Sequence, residues 1–103
     1  MKRLALLALL LSTTPASAVE LLAKNDVTLC RYLSDWEEAV TLRSKGFLEK
    51  AATFYGGSDP RCVLLPPGDR LEAMDTAGIF QQAIRMSDGF IGWAKWYDFD
   101  LRR

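Results

Sequence analysis

Cys62-Val63-Leu64-Leu65-Pro66-Pro67-Gly68-Asp69-Arg70-Leu71-Glu72-Ala73-Met74 opens the stretch that decides the fold, and Phe90-Ile91-Gly92-Trp93-Ala94-Lys95-Trp96-Tyr97 closes it. Between them the chain runs to Asp75, restarts at Ile79 after Gly78 and turns again at Ser87-Asp88-Gly89. Short apolar runs broken by turn residues at intervals of about ten are the sequence form of a β-meander. Pro66 and Pro67 donate no ladder hydrogen bonds, so the strand beginning at Cys62 ends there or lies at an edge. Phe80, Gln82, Ile84 and Met86 fall on one face of the next strand and Gln81 and Arg85 on the other, and Phe80, Ile84 and Met86 are the expected core side. Asp88-Gly89 suits a tight hairpin with positive φ at its central residues. Gly92 predicts a close backbone approach, with Trp93 buried beside it.

Upstream of the meander, residues 20–26 read as a loose lead-in, and Val27-Thr28-Leu29-Cys30-Arg31-Tyr32 as a first strand. Ser34 and Glu37 have the spacing of a capping box; Trp36, Ala39, Val40 and Arg43 recur at helical spacing, and Gly46 is placed to stop the run. A helix over about 35–45 follows, although residues 38–43 also suit a strand, through Val40, Thr41 and Leu42. Leu48, Ala51, Ala52 and Tyr55 repeat the helical spacing in a second helix that Gly56-Gly57 ends.

At the other end, Met1-Lys2-Arg3 precedes an apolar run, Leu4 to Leu11, and a small-residue exit at Ala16-Ser17-Ala18. This is the layout of a secretory signal peptide cut after Ala18, and the apolar run is far short of the roughly 20 residues that span a bilayer. No cysteine follows the run, so no membrane anchor is expected after cleavage. Residues 19–103 then form a single domain, with the formal charge moving from zero to −2 as Lys2 and Arg3 leave. Its scattered Lys and Arg argue against nucleic acid as a partner.

Export governs the two cysteines. In an oxidising compartment Cys30 and Cys62 are expected to form a structural disulfide. Free or redox-active thiols are the weaker alternative, because the spacing is nothing like Cys-x-x-Cys. Metal is weaker still: the chain has no histidine, and two thiolates leave a tetrahedral site half empty. The missing histidine also removes the usual general base. Ser34, Ser58 and Ser87 read as caps or turns, and Glu37, Glu38, Asp98 and Asp100 as a cap and surface, so neither an enzyme nor a cofactor is expected.

The two quoted segments, with Ala83-Ile84-Arg85-Met86-Ser87-Asp88-Gly89 between them and Phe99 and Leu101 as a hydrophobic close, resemble the second half of a bacterial SH3-like (SH3b-type) domain. The resemblance implies an α+β fold: a small barrel or meander of four to five strands over about 62–101, completed by 27–32. A two-helix insertion over about 34–56 follows strand one and is tied off at its base by Cys30 and Cys62. It also implies a periplasmic binding module for a cell-wall glycan or peptide, or for a periplasmic protein. Trp96, Tyr97, Lys95 and Tyr55 are the candidate ligand-binding residues. A free-standing exported inhibitor or immunity-type protein, using the insertion as its contact face, is the alternative.

Overall fold

The structure, a computed structural model, describes residues 19–102. The expected signal peptide over residues 1–18 lies outside the described residues. Seven antiparallel strands and two helices build a small α+β domain. In chain order these are β1 (Glu20–Ala23), β2 (Val27–Cys30), α1 (Leu33–Ser44), α2 (Leu48–Ala52), β3 (Cys62–Leu65), β4 (Arg70–Ala77), β5 (Phe80–Arg85), β6 (Ile91–Lys95), a 3-10 turn (Trp96–Asp98) and β7 (Phe99–Arg102). The sheet order is β3-β2-β6-β5-β4-β1-β7.

Four to five strands understates this sheet, and the added strands come from the ends. Residues 20–26 are no loose lead-in: β1 sits between β4 and β7, with Leu21 opposite both Leu71 and Leu101. A four-residue strand whose partners lie fifty and eighty positions away leaves little local signal, because its stability comes from those partners. The strand at Val27 is therefore the second in the chain. The helical insertion joins β2 to β3, and the Cys30–Cys62 bond is a cross-strand pair within that hairpin.

Strand alternation sorts the side chains into two clusters. On the concave face Leu21, Ala23, Val27, Leu29, Leu65, Leu71, Ala83, Ala94 and Phe99 pack together, closed by Phe90. On the convex face of β2 and β3, Cys30 and Cys62 meet Trp36, Ala39 and Phe54 from the helical insertion. This overturns the expected core side of β5. Ala83 is the residue sealed in the main core, while Phe80 lies on the other face and meets Trp36 edge-on at 5.1 Å, and Met86 is exposed. Strand alternation puts Phe80, Gln82 and Ile84 on the face opposite Ala83.

Residues 38–43 are helical. Gly46, at φ +85°, ends α1 with its N–H on Arg43 O and the Phe47 N–H on Leu42 O, as its placement predicted. The start differs: Tyr32 is the N-cap, with no side-chain cap bond, and the N–H groups of Asp35 and Trp36 both reach the Tyr32 carbonyl. Ser34 lies inside the first turn, and Asp35 pairs instead with Arg61 at 3.6 Å. The second helix is shorter than its periodicity implied, with Leu48 and Ala52 exposed and Phe54, just beyond its end, buried.

The β5–β6 connection is wider than a two-residue hairpin. Only Gly89 takes positive φ; Asp88 instead accepts the Phe90 N–H at 3.0 Å and faces Arg85 at 3.5 Å. At Gly92 the expected close approach is present: a Cβ there would stand 2.8 Å from Cys30 O and 2.9 Å from Leu29 Cγ. That clearance lets β2 lie close against β6, its antiparallel neighbour, with Cys30 opposite Trp93. Trp93 itself is half-buried on the outer face, since the small inner position belongs to Gly92.

Candidate functional site

An open groove of about 480 Å³ lies where α1 crosses the start of β2 and faces the 3-10 turn. Its floor comes from β2 and α1. Trp36 is buried, and its Nε1–H donates to the Thr28 carbonyl at 3.0 Å, which fixes the indole across the hairpin. Val27, Val40 and Leu48 add aliphatic surface, and Leu48 is 64% exposed. Thr28 is buried, and its hydroxyl lies 2.9 Å from the Tyr55 hydroxyl and accepts from Arg43 Nη1 at 3.3 Å.

The end of β6 and the 3-10 turn line the groove as well. Lys95, the last residue of β6, holds its ammonium 5.2 Å from the Trp36 ring centroid and 5.5 Å from that of Tyr97, positions in which a ring face attracts a cation. The Tyr97 hydroxyl beside it, aided by the Asp98 carboxylate, raises the Lys95 pKa above the ordinary lysine value, against a smaller opposing effect of burial. Burial raises the Asp98 pKa above the ordinary carboxylate value, with a hydrogen bond from the Lys95 backbone and the charges of Lys95 and Lys24 opposing it. Trp96 is 59% exposed and edge-on to Tyr97 at 5.6 Å.

Of the residues singled out from sequence, Lys95 and Tyr97 line the groove and Trp96 flanks it. Trp96 and Tyr97 occupy the 3-10 turn, and both are exposed. Tyr55 lies behind the floor, joined to the groove through Thr28. Arg43, Trp36 and Thr28 were not anticipated as site residues. Arg43 sits one helical turn beyond the apolar pair Ala39 and Val40, and a cation continuing an apolar stripe is the signal that marks it. Cys30 and Cys62 are bonded and fully buried.

Among the described residues no three His, Cys, Asp or Glu side chains gather as a metal site. The groove thus brings together aromatic faces, two cations and aliphatic surface.

Fold and groove together define a small α+β domain with one disulfide and an open aromatic cleft. Set against known proteins, the chain matches no family model, no curated protein and no solved structure.

Proposed function

We propose that this protein is a non-catalytic, SH3-like binding module of the cell envelope, which holds a cell-wall peptide or glycan, or a periplasmic protein, in the groove beside Trp96 and Tyr97. The observation that carries the reading is the exposed Trp96–Tyr97 pair next to a preformed cleft. Aromatic surface left uncovered at the edge of a groove is what modules that bind extended ligands present. The SH3-like reading is supported by the order β7-β1-β4-β5-β6 and by the single 3-10 turn between β6 and β7. On that reading α1 and α2, between β2 and β3, are the two-helix insertion. Export to the periplasm is supported by the sequence of residues 1–18 and by a disulfide of the kind oxidising compartments retain.

The test is retention on purified cell wall. The module should bind, and Trp96→Ala should lose retention while keeping its circular dichroism and melting temperature. Retention equal for both proteins would refute the groove as the binding surface. The second reading, an inhibitor or immunity-type protein, draws on Phe47 and Leu48, which stand exposed on the insertion. It predicts a stable protein partner whose binding is lost on Phe47→Ala and untouched by Trp96→Ala.

A further inference from the structure

We propose that the groove recognises a peptide through a carboxylate, seated between Arg43 and Lys95, with an adjoining apolar side chain lying on Val40 and Leu48. This rests on the binding-module reading and names its ligand chemistry. Arg31, Arg61, Arg70, Arg85 and Arg102 are each paired with a carboxylate. Arg43 is the one arginine among the described residues that is not. Its single side-chain bond, from Nη1 to the buried Thr28 hydroxyl, aims the guanidinium while leaving its other donors available. Thr28 is itself held by Tyr55, so the aim is built into the fold.

Lys95 is the second cation, and it too lacks an ion pair among the described residues. The faces of Trp36 and Tyr97 hold its ammonium in the same groove. A fork-shaped donor and a point charge in one groove suit an oxyanion between them, and planar carboxylate is the form a guanidinium matches in a bidentate way. The exposed Leu48 and half-buried Val40 beside them give an apolar neighbour somewhere to pack. Peptides combine both features. Asp26 and Asp98 also line the groove, and their charges oppose an anion. Asp98 is bonded to the backbone of its own turn, so its charge is partly spent there. Removing that charge should tighten binding.

The experiment is a tryptophan-fluorescence titration of the mature chain with four short acetylated probes. One ends Gly-Leu-Phe with a free C-terminal carboxylate, and the second is its C-terminal amide. The third is an amidated peptide with a glutamate beside leucine, and the fourth carries glutamine in its place. At least one carboxylate form should bind saturably and about tenfold or more tighter than its amide, as a charge-assisted hydrogen bond implies. Which pair shows the difference tells a chain terminus from an acidic side chain. The preference should shrink in high salt. Arg43→Gln and Lys95→Gln should each abolish it, and Asp98→Asn should enlarge it. Equal binding of acid and amide overturns the carboxylate reading while leaving groove binding intact. So does tighter binding of a lysine-bearing control. No saturable binding by any probe, with cell-wall retention through Trp96 persisting, also overturns it and leaves the module standing. The acid-to-amide comparison is made on the unmutated protein, so a variant that misfolds does not remove the test.

Discussion

Gly92 shows at the residue scale how one missing methyl permits the fold. Its Cα is where β2 comes closest to β6, and the atoms a side chain would meet are backbone and a packed leucine, neither free to move aside. Gly92→Ala should cost about 1–3 kcal/mol, the usual range for overpacking a filled core, measured by urea denaturation. An unchanged midpoint would mean the contact is looser than these distances indicate. Trp36 makes a different kind of contribution. Trp36→Phe keeps an aromatic ring on Phe80 but loses the bond from Nε1 to the Thr28 carbonyl, and should destabilise by about 1–2 kcal/mol. Asp98 gives the residue scale its pH dependence. Because burial raises the carboxyl's pKa in the folded state, the folded protein holds that proton more tightly than the unfolded chain does. The contribution to stability is therefore full below the folded and unfolded values, and declines as pH rises from the ordinary aspartate value of 3.8 through the raised folded one. Asp98→Asn should flatten this acid-side decline, seen by comparing denaturation midpoints of the two proteins at pH 3 and pH 7. Parallel curves would show that Asp98 is not the group responsible.

Elements in this chain were legible where their signals are local. Gly46 as a stop for α1, the break at Pro66-Pro67 and the strand from Cys62 follow from a few adjacent residues, and the pairing of Cys30 with Cys62 from there being two cysteines in the chain. Ser34 misled because a capping-box pattern competes with what precedes it: Tyr32 already offers its carbonyl to two amides, so the helix begins two residues earlier. Leu48 misled because helical spacing marks an apolar stripe without saying that anything covers it. The disulfide binds the insertion at the scale of elements. It closes a loop with a sequence separation of 32, for which chain entropy gives about 3–4 kcal/mol of stabilisation. Reduction under native conditions should lower stability by that amount in chemical denaturation. The amides of α1 should lose protection before those of β4 and β5, because Cys30 and Cys62 lie in the cluster under the helices and not in the barrel. A reduced protein as stable as the oxidised one would remove the bridge from this account.

For the molecule as a whole, the decisive event is that one hairpin serves two cores. Along β2 and β3, Val27, Leu29 and Leu65 enter the barrel, while Cys30 and Cys62 leave it to support Trp36, Ala39 and Phe54. Sequence alternation announces that a strand has two faces but not which face meets which partner. For that reason the sheet order, the role of β1 and the side taken by Phe80 required the assembled chain. The candidate groove was hidden for the same reason: Arg43 and Lys95 are 52 positions apart in the sequence and line one groove only because α1 packs on β2 and β6. Two clusters of unequal size also predict unequal stability. The barrel cluster draws on strands from both ends of the chain, whereas α2 contributes little beyond Ala51 and the adjoining Phe54. Local opening should therefore begin at α2, since segments with few buried apolar contacts open at the lowest free energy. Native-state hydrogen exchange should show the amides of Ala51 and Phe54 exchanging through small fluctuations insensitive to low denaturant. The amides of Ala73 and Ala83 should exchange only through global unfolding, with a denaturant dependence equal to that of the whole protein. Equal protection at all four positions would mean that insertion and barrel unfold as a single unit, and that the disulfide merges the two clusters into one cooperative core.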